Sequence, residues 1–198
     1  MDPTIERWNE TYRDPAPFPE PNPHLAQFRS FLPSGGTALD LACGRGADAL
    51  YLADCGFQVT AWDGSEVALT LLKEEANRRA LSITTLCAPI TVDAFKDHRF
   101  DLIYVHRFLD RALFPVILEA LQPQGRLFYE TFTTESLETT TAPQGPKNPS
   151  YRLEANELVR LCAPLHIRLF IDGLMPSRDA KTFIPTSKSL LIGEKRSR

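Results

Sequence analysis

Apolar positions along this chain follow two rhythms. Thr37-Ala38-Leu39-Asp40-Leu41 and Phe100-Asp101-Leu102-Ile103-Tyr104-Val105 are short, mostly apolar runs, the pattern of strands buried on both faces. Phe57-Gln58-Val59-Thr60-Ala61-Trp62, Ser82–Leu86 and Arg126–Thr131 read as further strands. Between them apolar residues return at helical spacing. Ala47–Cys55 reads as a helix stopped by Gly56, and Glu66 to about Arg79 as one capped by Ser65 or Asp63. A helix over about Leu113–Leu121 tolerates Pro115 only in its first turn. The rhythm then changes. A helix near Glu154–Cys162 leads to strands at His166–Ile171 and Ser187–Glu194, which are placed to pair as an antiparallel hairpin.

Strands separated by helices of this length imply parallel pairing with right-handed crossovers. The expected fold is α/β: a doubly wound, mostly parallel seven-stranded sheet with an antiparallel C-terminal strand, in three α/β/α layers. Residues 1–36 carry few strand signals. Prolines 15, 17, 19, 21 and 23 forbid a helix there and favour an extended path, with a short helix expected over His24–Leu32.

Composition narrows the classes of function. Twenty-two basic and 25 acidic residues give a formal charge of −3, which argues against a dedicated nucleic-acid surface. No apolar run reaches the about 18 residues of a membrane span. The polar opening Met1-Asp2-Pro3-Thr4 lacks a signal-peptide core, so a cytoplasmic protein is expected. Cys43, Cys55, Cys87 and Cys162 have no metal-ligand spacing, which fits reduced thiols and no metal site. Nothing in the pattern bears on oligomeric state.

In an open α/β sheet, ligands bind beyond the carboxyl ends of the strands, where strand order reverses. The first strand runs there into Asp40-Leu41-Ala42-Cys43-Gly44-Arg45-Gly46-Ala47-Asp48-Ala49. Gly44 and Gly46 permit close backbone approach. Asp63 ends the second strand, where an acid can accept from two ribose hydroxyls. Two cofactor classes use this geometry. Residues 44–49 match the dinucleotide pattern G-x-G-x-x-A, a weak signal that leaves an NAD(P)-dependent oxidoreductase as one reading. S-adenosyl-L-methionine is the other. Its sulfonium and ammonium favour carboxylate partners, and Asp40 suits them better than it suits a pyrophosphate.

These segments resemble class I S-adenosylmethionine-dependent methyltransferases. Ala38–Gly46 is similar to the family's first motif, D-x-G-x-G-x-G, with Ala42 replacing the first glycine. Val59–Ser65 is similar to the second, Phe100–Ile103 to the fourth-strand motif, and Leu121–Leu127 to L-x-P-G-G-x-L with Gln124 replacing a glycine. The resemblance covers about residues 36–132. Trp8-Asn9-Glu10-Thr11-Tyr12 resembles the W-x-x-x-Y opening of the tellurite-resistance and thiopurine methyltransferase-like branch, where this segment folds over the cofactor. The chain departs from the family after the third strand, where Cys87-Ala88-Pro89-Ile90 replaces the acid that often meets adenine. It also lacks the N/D-P-P-Y/F motif of amino-methylating nucleic-acid enzymes; Val105-His106-Arg107-Phe108 stands there.

The resemblance implies methyl transfer to a small-molecule acceptor by in-line displacement. It places Trp8, Tyr12, Asp40, Ala42, Gly44, Gly46, Asp63, Gly64, Ser65, Ile90 and Val105 at the cofactor. His106 is the candidate general base, and Arg107 the candidate partner of an anionic acceptor. Glu130, expected at the cleft rim, either binds the acceptor or pairs with Arg107. Residues 1–36 form an arm over the site, and 37–198 the methyltransferase domain. Within it, the loop 133–152 brings Tyr151 and Arg152 to the acceptor. A non-catalytic cofactor-binding role remains a third reading, motivated by the missing acid.

Overall fold

The computed structural model describes residues 3–14, 16–134, 145–176 and 183–197. Seven strands form one sheet: β1 Gly36–Leu41, β2 Phe57–Asp63, β3 Ile83–Cys87, β4 Phe100–His106, β5 Leu121–Phe132, β6 His166–Pro176 and β7 Phe183–Glu194. Their order is β3-β2-β1-β4-β5-β7-β6, and β7 alone runs antiparallel to its neighbours. The expected doubly wound sheet with its antiparallel C-terminal strand is therefore present. β1 lies between β2 and β4, so strand order reverses at the carboxyl end of β1.

The helices are α1 Pro3–Arg13, α2 Pro23–Gln27, α3 Ala47–Asp54, α4 Glu66–Arg78, α5 Phe114–Glu119 and α6 Glu157–Leu161. Two cores sandwich the sheet. Leu39, Leu41, Ile103, Val105, Leu127 and Tyr129 pack with Phe114, Ile117 and Leu158 on one face. Ala38, Val59, Leu102, Tyr104, Phe128 and Leu190 pack with Leu25, Leu50, Leu69 and Leu72 on the other. The two-residue period decides which polar side chains meet. Asp40 shares parity with Ala38, His106 with Tyr104, Glu130 with Phe128 and Lys188 with Leu190. All four polar residues thus belong to the face covered by α2, α3 and α4.

The N-terminal region departs from the sequence expectation. Residues 3–13 are helical, and the expected helix over 24–32 is only the short α2 followed by a 3-10 turn at Arg29–Phe31. Residues 16–22 have no regular structure, as their prolines require. Arg45 fastens this strap by donating to the carbonyls of Ala16 and Pro17 at 2.9 and 3.1 Å. Ser65 caps α4, accepting from the Ala68 N–H at 3.1 Å. Residues 135–144 of the loop expected to face the acceptor, and Pro15 of the proline run, lie outside the described residues. Among the described residues no helix is long and apolar enough to cross a membrane.

The turn from β1 to α3 depends on left-handed backbone. Gly46 has φ +72°, and a Cβ there would sit 2.5 Å from the Leu72 side chain, which is fully buried. Gly46→Ala is therefore expected to destabilise the fold by about 1–3 kcal/mol. Thermal unfolding should show a fall of about 2–4 °C per kcal/mol. An unchanged midpoint would contradict the turn geometry.

Candidate functional site

A cavity of about 1030 Å³ opens over the carboxyl ends of β1, β2 and β4. Its floor is backbone. Ala42, Gly44 and Gly46 line it, with φ of +56°, +53° and +72°. Ala42 thus holds a conformation that favours glycine, at a position where the family motif has one. Asp63 ties this turn to the next. Its Oδ2 accepts from the Gly44 N–H and its Oδ1 from the Ser65 N–H, both at 2.8 Å. Each oxygen keeps a second lone pair for a ribose hydroxyl. Burial pushes the Asp63 carboxyl up, against the lowering by the backbone N–H groups of Ser65, Gly44 and Gly64.

Asp40 is buried beside the turn, and its Oδ2 has no hydrogen-bond partner. Burial raises its carboxyl well above the ordinary range, and the charges of Asp48 and Asp63 add to this, while the Ala49 N–H opposes it. A buried, unsatisfied acceptor among three carboxylates suits a cationic ligand group and repels a pyrophosphate. The residues present fit S-adenosylmethionine: Asp40 for its ammonium and Asp63 for its ribose. On the adenine side, Gly64, Pro89 and Ile90 line the wall where an acid is missing. Trp62 Nε1 fixes that loop by donating to the Ala88 carbonyl at 2.8 Å.

Helix α1 forms the roof. Trp8 and Tyr12 line the cavity and stack with ring centroids 5.8 Å apart. The Tyr12 hydroxyl lies over Gly44, 2.7 Å from where a Cβ would stand. Asn9 is buried and accepts from Ser65 Oγ at 2.7 Å, so the Ser65 hydroxyl serves the cap and the roof together.

At the ends of β4 and β5, beside β7, the shared parity gathers a polar cluster. Glu130 is fully buried and does not line the cavity, contrary to its expected place at the rim. Its Oε1 accepts from Lys188 Nζ at 2.8 Å. Its Oε2 accepts from Asn22 Nδ2 at 2.7 Å and meets His24 Nδ1 at 3.0 Å. Burial pushes this carboxyl up. The His24 hydrogen bond and the charges of Lys188, His106 and His24 outweigh that and hold it below the ordinary range. These partners replace the expected ion pair with Arg107, whose backbone N–H instead donates to the Glu130 carbonyl at 2.9 Å. Arg107 itself is exposed at the cavity wall, with φ +59°.

His106 lines the cavity with both ring nitrogens engaged. Nδ1 lies 3.2 Å from Asp48 Oδ2 and Nε2 lies 3.3 Å from Lys188 Nζ. Val105 does not reach the cavity, because its parity turns it into the opposite core. Tyr151 and Arg152 also stay away from it. Arg152 is buried, with its guanidinium drawn to the carbonyls of Pro146 and Thr133 at 2.7 and 2.8 Å. Asn22, His24, Asp48 and Lys188 line the cavity without having been singled out from the sequence. Strand parity would have pointed to Lys188. Among the described residues no cluster of His, Cys, Asp and Glu is arranged to hold a metal ion.

Residues 38–125 match a family model described as a methyltransferase domain. That stretch, a little under half of the chain, is where the likeness to methyltransferases lies. The chain is 30% identical over 123 residues to the "Probable S-adenosyl-L-methionine-dependent methyltransferase TehB" of Haemophilus influenzae (strain 10810), which is 61% of this chain and 42% of that protein. It is also 30% identical over 102 residues to a ubiquinone biosynthesis O-methyltransferase of Coxiella burnetii (strain Dugway 5J108-111), 49% of this chain and 44% of that protein. The chain thus spans less than half the length of these curated relatives. Among solved structures, TehB from Haemophilus influenzae superposes with a TM-score of 0.70 at 19% identity, covering 97% of this chain and 67% of that one. The N-methyltransferase NodS of Bradyrhizobium japonicum, in complex with S-adenosyl-L-homocysteine, superposes at 0.64 with 16% identity, covering 99% and 100%. At these identities the superpositions establish the fold alone.

The isolated carboxylate gives a pH prediction. A buried acid with a raised pKa destabilises the ligand-free fold above that pKa and costs nothing below the ordinary carboxyl value of about 4. Asp40→Asn is therefore expected to raise the melting temperature at pH 8. The gain should shrink as pH falls and vanish below about pH 4. A gain independent of pH would show that Asp40 is not strained by its charge.

Proposed function

We propose that this protein transfers the methyl group of S-adenosylmethionine to a small-molecule acceptor. The observation that carries the reading is the unpartnered buried oxygen of Asp40, on the same cavity floor as the glycine turn and Asp63. When bound, the cofactor supplies a methyl carbon on a sulfonium, already a good leaving group. The chain's own part is then to align and to exclude water. Asp40 holds the ammonium and Asp63 the ribose. Ile90 and Pro89 give adenine an apolar wall, and α1 with the strap 16–24 roofs the cavity.

Several features support a small acceptor. The roofed cavity leaves little room for a macromolecule, and the net charge of −3 gives nucleic acid no general attraction. Exposed Arg107 offers a planar fork to an anionic group on that acceptor. Four free thiols fit a cytoplasmic location. No observation on the site favours a nicotinamide cofactor, since three carboxylates surround the turn where its pyrophosphate would rest.

Calorimetric titration with S-adenosylhomocysteine tests the reading. The wild type is expected to bind, and Asp63→Ala to bind at least about 100-fold more weakly, because both the ribose contacts and the Gly44 and Ser65 anchors are lost. Saturation by NADH without binding of S-adenosylhomocysteine would replace the reading with the oxidoreductase one.

A further inference from the structure

Two histidines reach the acceptor side of the cavity, and they differ in what remains free. His106 has a partner on each nitrogen, Asp48 and Lys188. His24 has one. Its Nδ1 meets the buried Glu130 carboxylate, which can only accept, so this nitrogen carries the proton. Among the described residues its Nε2 has no hydrogen-bond partner, and it is not among the buried unsatisfied atoms, while the residue lines the cavity. In the neutral ring that nitrogen therefore presents its lone pair to the cavity.

The orientation is fixed from several sides. Asn22 Oδ1 accepts from the His24 backbone N–H at 3.1 Å, which leaves Asn22 Nδ2 to donate to Glu130 at 2.7 Å and to the Tyr104 hydroxyl at 3.1 Å. The backbone N–H of Asn22 donates to Asp48 Oδ1 at 2.6 Å. Phe28 packs beside the imidazole with ring centroids 6.2 Å apart. A buried carboxylate holding Nδ1–H while Nε2 faces a ligand cavity is the arrangement of an oriented general base.

We propose that His24, held by Glu130, is the general base of the methyl transfer, and that the acceptor is a small molecule bearing a hydroxyl or thiol. The proposal rests on the methyltransferase reading above. As the acceptor's O–H or S–H proton passes to His24 Nε2, the oxygen or sulfur electron pair forms the bond to the methyl carbon. The electrons of the methyl–sulfur bond remain on the departing sulfur as a neutral thioether, and the imidazolium later returns its proton to water. Lys188 uses two of its three N–H donors on Glu130 and His106. The third is available to the developing oxyanion or thiolate. The other titratable groups on the elements packed around His24 and Glu130 are His106 and Tyr104 on β4, Lys188 on β7 and Asp48 on α3. Each already has a hydrogen-bond partner within the cluster.

The first test does not depend on activity. Long-range proton–nitrogen NMR of the histidine rings across pH 5–9, with His24→Gln for assignment, is expected to show neutral His24 protonated on Nδ1 and bare on Nε2. Glu130→Gln should remove that preference. The second test is radiolabelled methyl transfer to thioglycolate, 2-mercaptoethanol and 4-hydroxybenzoate. His24→Gln is expected to lower the rate by about 100-fold or more and flatten the rise of kcat/KM with pH, while S-adenosylhomocysteine affinity stays within about twofold. A proton on Nε2, a His24→Gln protein with the wild-type rate, or a wild type that methylates none of the three acceptors overturns the proposal. Failure of the wild type to bind S-adenosylhomocysteine overturns the methyltransferase reading, and the proposal with it. Normal binding with the wrong tautomer overturns the proposal alone.

Discussion

The polar wall of the cavity at the ends of β4 and β5 is organised by the need to satisfy one buried carboxylate. A lone charge withdrawn from water is among the most costly groups a fold can carry, and removing one member of a buried pair costs several kcal/mol. Glu130 meets that need with an ammonium from β7, an imidazole from α2 and an amide from the strap before it. Lys188 is far in sequence from Asn22 and His24, so satisfying one carboxylate fixes the path of the N-terminal strap against the C-terminal strand. Asp48 then joins the group through Tyr104 and His106. This wall is thus a by-product of charge neutralisation, and its rigidity follows from the number of elements that share the load.

The cofactor side is built differently, from turns. Asp63 holds two loops by their backbone N–H groups, and left-handed residues turn the chain along the cavity floor. Such features depend on neighbours in sequence. That is why they could be read before the structure was known. The glycine spacing, the acid ending β2, the cap at Ser65 and the alternation of strands and helices are local signals. The seven-stranded sheet followed from them, although β5 starts five residues before the expected Arg126, β6 runs five past Ile171 and β7 starts four before Ser187.

The misplaced residues share a physical cause. Val105 and Glu130 were assigned from their position at strand ends, without following which face each strand residue takes. Parity sends Val105 into one core and buries Glu130 beneath the other face. Arg152 looked like a loop cation reaching for substrate, yet the carbonyls of Thr133, just past β5, and of Pro146 captured it. His24 and Asn22 were illegible for another reason. Asn22 ends the proline-rich strap and His24 lies in the first turn of the short α2, and only tertiary contact gives them a role.

The roof has a kinetic consequence. Among the described residues of α1 only Asn9 is buried, and it holds the helix through one hydroxyl. Yet Tyr12 lies directly over Gly44. Loss of a ligand from the cavity floor beneath Tyr12 would therefore be coupled to displacement of this helix.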